Sequence, residues 1–245
     1  MRFELCTCKL LEHTMNTFPD GFRALVIGAS GGIGVALVDA LTENPRCGYV
    51  QGLHRHLDPA VDFDDEASVV AAAAVMARQP EFHLIINATG MLHTAGVMPE
   101  KRISDLNYAQ LMDTFRINTF GPALVLRYFT PLLDSGRSAL AVLSAEVGSI
   151  EDNRLGGWYS YRASKAALNM LLKTAAIEVK RSKPQAVLVS LHPGTVNSKL
   201  SQPFRGNEIG RPAGDTAQDL LKVIDQLTPA DTGGFYAYDG KRLPW

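Results

Sequence analysis

Tyr161 and Lys165 stand four residues apart in a stretch with a helical pattern, Trp158 to Arg181. On a helix, positions i and i+4 share a face, so this spacing places a phenol beside an ammonium group. A phenol with a pKa of about 10 is a weak acid-base catalyst at neutral pH, and an adjacent cation lowers that pKa. The pair therefore indicates proton transfer, although by spacing alone it could equally be a surface pair.

A glycine-rich segment follows a short apolar run and precedes a second helical pattern. Glycines let a backbone turn tightly and approach a pyrophosphate, which then lies at the N-terminus of the helix. This strand-loop-helix order predicts a dinucleotide site. Its predicted binding residues in the segment are Gly28, Ser30, Gly31, Gly32, Ile33 and Gly34.

About twenty residues further on, a dinucleotide-binding domain that prefers NAD carries a carboxylate for the ribose 2′-hydroxyl. The segment 51–56 contains no carboxylate. Arg55, helped by His54, could instead bind a 2′-phosphate, which favours NADP(H) over NAD(H); the alternative is a solvated arginine. Neither His54 with His56 nor Cys6 with Cys8 and His13 offers a full ligand set, so we predict no metal site.

Apolar strand patterns alternate with helical patterns along the chain. Strands are predicted at 24–28, 48–53, 60–63, 83–87, 139–144, 186–191 and 234–238. Helices are predicted at 33–43, 66–79 (capped by Asp64 or Asp65), 104–133, 158–181 and 215–227, the last opened by a capping box of Asp215 and Gln218. The order predicts an α/β fold: a single-domain, Rossmann-type, doubly wound parallel sheet of about seven strands with helices on both faces.

Two boundaries follow from the pattern. Residues 1–22 are expected to be an N-terminal extension, in which Met15 could be the true start, and 23–245 a single dinucleotide-binding domain. The irregular segment 194–212 follows the sixth predicted strand, at the edge where such sheets bind ligands, and is a candidate substrate lid or a solvated connection. Its Lys199, Arg205 and Arg211 could meet an anionic substrate group or simply be solvated.

Composition excludes several classes of protein. The 245 residues are 46% hydrophobic and 20% charged, as in a globular protein. Twenty-four Lys and Arg against 25 Asp and Glu leave a net charge of -1, which argues against a nucleic-acid partner. The longest uncharged stretch, 82–99, is too polar for a membrane span, and the N-terminus lacks a signal-peptide core. With only three cysteines, Cys6, Cys8 and Cys47, we expect a cytoplasmic protein.

The glycine segment, Asn87-Ala88-Thr89-Gly90 and Tyr161-x-x-x-Lys165 occur together in this order. The chain thereby resembles the short-chain dehydrogenase/reductase family from about Arg23 to the C-terminus. Residues 148–150, 156–169, 192–196 and 239–245 are similar to the branch that contains C-factor-like signalling proteins and sniffer-type carbonyl reductases.

The resemblance implies hydride transfer between a nicotinamide and a small carbonyl or alcohol substrate. Tyr161 would be the acid or base, Lys165 would lower its pKa and hold the nicotinamide ribose, and Asn118 would hold a water for proton relay. The other implied cofactor contacts are Gly28, Gly32 and Gly34 at the pyrophosphate, Asp62 at the adenine, Asn87, Ala88 and Gly90 after strand four, and Pro193, Gly194, Thr195 and Val196 beside the nicotinamide.

The chain departs from the family pattern at one position. The family's catalytic serine is normally the second of a Ser-Ser pair after strand five, and here the pair reads Ser144-Ala145. Ser144 is the candidate surrogate; otherwise Ser149 or a water replaces the serine, or carbonyl polarisation is weakened. The alternative function is a nucleotide-binding signalling or regulatory protein with little turnover.

The two long helices are apolar around much of their circumference, which a single sheet does not cover. Since the family pairs these helices across a two-fold axis, a homodimer or homotetramer is expected.

Overall fold

The computed structural model describes residues 14–94 and 96–245. Residues 1–13, with Cys6, Cys8 and His13, lie outside the described residues. The elements in chain order are β1 (Phe22–Ile27), α1 (Gly32–Glu43), β2 (Cys47–Leu53), α2 (Glu66–Met76), β3 (Leu84–Asn87), α3 (Tyr108–Phe115), α4 (Gly121–Phe129), β4 (Ser138–Leu143), α5 (Tyr159–Ser182), β5 (Ala186–His192), α6 (Gly206–Ile209), α7 (Ala213–Gln226) and β6 (Gly234–Ala237).

The strands form one parallel sheet in the order β2-β1-β3-β4-β5-β6. Alternate residues of β1 point to opposite faces: Ala24 and Val26 pack with α1 and α7, while Leu25 and Ile27 pack with α2, α4 and α5. Every residue of β3 and β4 is buried, as expected for a sheet covered on both faces. The doubly wound α/β fold predicted from the sequence is confirmed.

The sheet has six strands where about seven were predicted, because residues 60–63 form no strand. Their backbone donors bond locally: Val61 N–H donates to the His54 carbonyl at 3.3 Å and Asp62 N–H to the Ser68 hydroxyl at 3.0 Å. These groups are therefore not available to a sheet ladder.

Two helix predictions change in detail, and the structure selects one of two alternatives in a third. The predicted helix 104–133 is divided into a 3₁₀ turn, α3, a π-helical turn (Arg116–Phe120) and α4. α7 begins at Ala213, after Pro212, so the predicted capping box at Asp215 is wrong. The N-cap of α2 is Asp65, whose side chain accepts from Ala67 N–H at 3.0 Å, one of the two caps predicted.

The described part of the predicted N-terminal extension packs into the domain. Met15 and Phe18 are fully buried against the α1 and α7 face of the sheet. The backbone N–H groups of Asn16 and Thr17 donate to the Asp225 carboxylate at 2.9 and 2.8 Å. Residues 14–21 are thus held by contacts with the far end of the chain.

Within residues 14–94 and 96–245, none of the helices has the length and apolar character needed to cross a bilayer.

Candidate active site

The glycine loop follows β1, the strand at which the strand order of the sheet switches from one side to the other. β1 is bordered by β2 and β3, with Ile27 paired to Leu53 and to Asn87. The residues that follow these three strands therefore meet at one edge, the usual ligand position in open α/β sheets. The structure brings together Gly28, His54 and Ala88 in this way.

The loop has the shape of a cradle for a pyrophosphate. Gly28 has a φ of 87°, and a Cβ there would be 3.0 Å from backbone atoms of Ala88 and Thr89. A Cβ on Gly34 would collide with the Gly28 carbonyl. Gly31, the N-cap of α1, is exposed and supplies no side-chain cap, so the helix N-terminus is open to an anion. These residues fit a dinucleotide.

The predicted nucleotide-selecting residues follow β2. Arg55 is exposed and forms no ion pair with any described residue. The ring nitrogen Nδ1 of His54 accepts from the His56 N–H at 3.1 Å, which orients the His54 ring. Asp62 lies in the loop before α2, and its carboxylate accepts from Asp64 N–H at 3.0 Å. Among the described residues there is no group of three potential metal ligands.

The end of β3 is organised by Asn87, which is almost fully buried. Its Oδ1 accepts from the Thr89 hydroxyl at 2.7 Å and from the Thr89 N–H at 3.2 Å. These bonds fix the turn that carries Ala88 and leads to Gly90. At Gly90 a Cβ would lie 3.6 Å from Lys165 Nζ and 3.8 Å from Asn118 Oδ1, so the missing side chain leaves room beside both groups.

Tyr161 and Lys165 lie one turn apart on α5, and both are buried. Lys165 Nζ donates to the Leu143 carbonyl at the end of β4 (2.9 Å) and lies 5.9 Å from the centre of the Tyr161 ring. Burial lowers the pKa of Lys165 to about 7 and raises the pKa of Tyr161 above its usual value. The spacing predicted a lowered phenol pKa; in this structure desolvation outweighs the distant cation.

Asn118 lies in the π-helical turn between α3 and α4 and is fully buried. Its Nδ2 donates to the Met91 carbonyl at 2.7 Å and to the Ser164 hydroxyl at 3.1 Å, while Oδ1 accepts from Met91 N–H at 2.8 Å. Such turns are frequent at functional sites because the extra residue redirects one side chain inward. Here it directs Asn118 to the segment that holds Gly90 and to the helix that holds Tyr161.

Ser144 follows β4, and its hydroxyl donates to Asn169 Oδ1 at 2.7 Å in a buried contact on α5. In this arrangement the hydroxyl proton of Ser144 is engaged in a hydrogen bond to Asn169. Ala145 packs in a small apolar cluster with Tyr161 and Leu92. Ser149 Oγ, the other candidate, accepts from Asp152 N–H at 3.0 Å on the adjoining loop.

The segment after β5 extends along the same edge of the sheet. Gly194 has a φ of 76°, and a Cβ there would be 2.8 Å from the Tyr238 ring. The Thr195 carbonyl accepts from Arg211 N–H at 2.9 Å, and Val196 is buried. Pro193 enters the segment after His192, at the end of β5.

Three further residues at this edge were not identified from the sequence. Ser198 lies against the glycine loop, since a Cβ on Gly32 would be 3.3 Å from the Ser198 Cβ. Trp158 and Phe204 pack near Tyr161, with 6.2 Å between the Trp158 and Tyr161 ring centres and 5.0 Å between those of Trp158 and Phe204. No short motif marks these contacts, because the lid segment meets α5 only in the folded chain.

His192 is mostly buried beneath this segment. Its Nε2 lies 3.5 Å from the Glu146 carboxylate, and its Nδ1 is buried with no hydrogen-bond partner among the described residues. Burial lowers the pKa of His192 to about 4, against an opposing contribution from Asp239. The ring is therefore neutral at physiological pH.

Comparisons with known proteins agree with this arrangement. The sequence pattern of the short chain dehydrogenase family matches residues 53–209. The chain is 34% identical over 189 residues to 1-hydroxy-2-glutathionyl-2-methyl-3-butene dehydrogenase of Rhodococcus sp. (strain AD45), covering 77% of this chain and 80% of that protein. It is 37% identical over 145 residues to C-signal of Myxococcus xanthus, covering 58% of this chain and 83% of that protein.

Two solved structures have the same fold. The carbonyl reductase Sniffer of D. melanogaster superposes with a TM-score of 0.80 at 24% identity, over 92% of this chain and all of that chain. The NADPH-bound carbonyl reductase from chicken fatty liver gives 0.79 at 25% identity, over 93% and 96%. The protein belongs to the short-chain dehydrogenase family of oxidoreductases, which bind a nicotinamide cofactor.

Proposed function

We propose that the protein is an NADP(H)-preferring oxidoreductase that interconverts a small carbonyl compound and its alcohol. One observation carries the proposal: buried Tyr161, Lys165 and Asn118 converge at the sheet edge that also carries the glycine loop. When bound, the cofactor supplies or accepts the hydride. The relative from Rhodococcus is named a dehydrogenase of a hydroxy compound, which supports this reaction class.

Tyr161 is the proton donor in the reducing direction. The phenol is protonated at neutral pH, the form that a general acid requires, and the rise of its pKa by burial makes it a weaker acid than an exposed tyrosine. The phenol oxygen makes no hydrogen bond to any described group, so it is free to meet a substrate oxygen. Lys165, one turn along α5, would hold the ribose of a bound nicotinamide cofactor.

Proton supply to Tyr161 runs through Asn118 and Lys165. Asn118 bonds to the Met91 backbone and to Ser164, and its Oδ1 would lie 3.8 Å from a Cβ on Gly90, so it borders the space that the absent side chain of Gly90 leaves. We place the relay water there, beside Lys165 Nζ. The pyrophosphate of a bound cofactor would be held by Gly28, Ser30, Gly31, Gly32, Ile33 and Gly34. Asp62 would bind the adenine, Asn87, Ala88 and Gly90 would support the cofactor after β3, and Pro193, Gly194, Thr195 and Val196 would lie beside the nicotinamide.

Replacement of Tyr161 by Phe tests the reaction. We expect Tyr161→Phe to lower kcat for NADPH-dependent reduction on the order of 10²–10⁴-fold while cofactor affinity is retained, since only the transferable proton is removed. Tyr159→Phe, two residues earlier on the same helix, is the control and should retain turnover. Equal rates for the Tyr161→Phe variant and the native protein would contradict the proposal.

The same variant separates an enzyme from the alternative, a signalling protein with little turnover. The 37% identity with C-signal over 145 residues keeps that alternative in view. Loss of turnover in Tyr161→Phe with an unchanged cellular phenotype would favour signalling. The presence of all three residues Tyr161, Lys165 and Asn118 favours an enzyme over a signalling protein with little turnover.

Preference for NADP(H) rests on Arg55, exposed beside the end of β2 without an ion-pair partner among the described residues. A guanidinium suits a 2′-phosphate, which NAD lacks. We expect Arg55→Ala to weaken NADPH binding about tenfold and NADH binding about twofold or less, measured by fluorescence titration. Arg78→Ala, an exposed arginine after α2, is the control. Equal affinity of the native protein for both cofactors would contradict the preference.

The cytoplasmic location expected from the sequence stays a prediction.

A further inference from the structure

Three rings extend outward from the proposed proton donor, Tyr161, and form with it a continuous stack. From Tyr161 outward it contains Trp158, Phe204 and His93, with successive ring centres 6.2, 5.0 and 6.0 Å apart and planes inclined by 75°, 60° and 62°. These tilted and edge-to-face contacts are the favoured aromatic geometries. Apolar side chains surround the stack: Leu92, Ala145, Val147 and Leu200.

The fold places Trp158 in this stack at a conformational cost. Trp158 adopts the left-handed region at φ 52° and ψ 45°, directly after Gly156 and Gly157, which have φ values of 64° and 66°. A bulky residue rarely adopts this region, and such residues concentrate at functional sites. Its N–H donates to the Glu100 carbonyl, which helps to hold the strained turn.

Phe204 comes from the lid segment, 194–212, and Leu200 packs beside it. The lid therefore contributes apolar side chains to the neighbourhood of Tyr161. Its arginines are occupied elsewhere: Arg205 pairs with Glu208 at 2.7 Å, and Arg211 pairs with Asp219 and covers the Tyr238 ring at 4.0 Å. A substrate carboxylate that comes beside Tyr161 would lose water without gaining either guanidinium. The third lid cation, Lys199, is exposed, and its backbone carbonyl lies 3.4 Å from His93 Nε2.

We infer that Trp158 and Phe204 are specificity-determining residues which select carbonyl compounds bearing a flat apolar ring, and that the two lid arginines do not select anionic substrates. The inference rests on the proposed function. The substrate ring packs against Trp158 and Phe204, while its carbonyl oxygen meets the Tyr161 phenol. The methyl group of Ala145 completes the apolar wall beside the carbonyl.

Turnover of three aldehydes or ketones tests the selection: benzaldehyde carries a flat ring, propanal is small and apolar, and pyruvate is anionic. We expect kcat/KM for benzaldehyde to exceed that for pyruvate by about 100-fold or more. Phe204→Ala should lower the benzaldehyde-to-propanal ratio of kcat/KM about tenfold. Ile209→Ala is the matched control, because Ile209 is an exposed apolar residue of the same lid and lies outside the stack.

Binding gives a readout that is independent of turnover. The chain has two tryptophans, and Trp245→Phe leaves Trp158 as the sole indole while keeping a ring to stack on Phe235. In that background, benzaldehyde added with NADP⁺, a pair between which no hydride can pass, should quench Trp158 saturably. Phe204→Ala should weaken this binding about tenfold, whereas Ile209→Ala leaves it within about twofold.

The two readouts separate the outcomes. Saturable, Phe204-dependent quenching without any carbonyl turnover would uphold the ring pocket and overturn the proposed reaction. Pyruvate turned over as well as benzaldehyde, or a benzaldehyde-to-propanal ratio unaffected by Phe204→Ala, would overturn the inference. Absence of both turnover and saturable quenching would overturn it as well.

Discussion

Ala145 places a methyl group where the family pattern has the serine that polarises the substrate carbonyl. The methyl packs near Tyr161, while the neighbouring Ser144 donates its proton to Asn169 at 2.7 Å. A preorganised donor at such a position is worth on the order of 10²–10³ in rate. The residue pair therefore indicates an enzyme that works with weaker polarisation, unless Ser144 releases Asn169 when substrate binds.

Two single substitutions decide between these possibilities. We expect Ala145→Ser to raise kcat by about 10–100-fold with little change in KM, because the added hydroxyl acts mainly on the transition state. Ser144→Ala should change kcat by about threefold or less, within the range of a lost structural hydrogen bond. A fall on the order of 10²-fold or more in Ser144→Ala would instead assign the polarising role to Ser144. Steady-state kinetics with one carbonyl substrate measures both.

At the scale of secondary structure, the ends of β4 and β5 are coupled through His192. The ring nitrogen Nε2 lies 3.5 Å from the Glu146 carboxylate after β4, and the ring is close enough to Asp239 after β6 to feel its charge. Burial holds its pKa to about 4, below the usual 6.5. Between these values the unfolded chain binds a proton that the folded chain excludes. The part of the free energy of unfolding that depends on neutral His192 is therefore fully present above pH 6.5 and is lost as the pH falls through about 4.

His192→Gln should remove part of this acid sensitivity. Between pH 6.5 and 4.5 we expect the variant to lose about 1–2 kcal/mol less of its free energy of unfolding than the native protein. Urea unfolding at several pH values gives the comparison. His56→Gln, at an exposed histidine, should retain the native slope. Parallel curves for His192→Gln and the native protein would show that another group titrates.

At the scale of the whole molecule, apolar side chains remain exposed along the helices that follow β3 and β4. On α5, Met170 and Ile177 are 66% and 55% exposed, and Tyr108 at the start of α3 is 79% exposed. An apolar surface of this kind is typical of an interface between subunits. It supports the homodimer or homotetramer expected from the sequence, which stays a prediction.

Substitutions that introduce negative charge on this surface test the predicted dimer or tetramer. We expect the native protein to sediment as a dimer or tetramer, and the double substitution Met170→Glu with Ile177→Glu to shift it to monomer, because buried unpaired carboxylates oppose association. Val70→Glu places the same charge on α2, at a residue 40% exposed, and should leave the assembly intact. A monomeric native protein would contradict the prediction.

The sequence by itself determined the features that depend on neighbouring residues. Continuous apolar runs predicted six strands that are present, and the glycines of 28–34 predicted the open helix N-terminus. The Tyr161-Lys165 spacing placed both groups within one turn of one helix. Local hydrogen bonding and backbone sterics govern these features, so a short window of sequence contains the necessary information.

Only the tertiary structure decided features that depend on distant residues. Residues 60–63 have a strand-like pattern, yet their donors bond to His54 and Ser68. The Ser144 hydroxyl donates to Asn169, and burial reverses the expected pKa shift of Tyr161. Phe204 reaches Trp158 from the lid, 46 residues away in the sequence numbering. Hydrogen-bond partners, burial and ring contacts arise between segments that are brought together only by packing, and no local pattern specifies them.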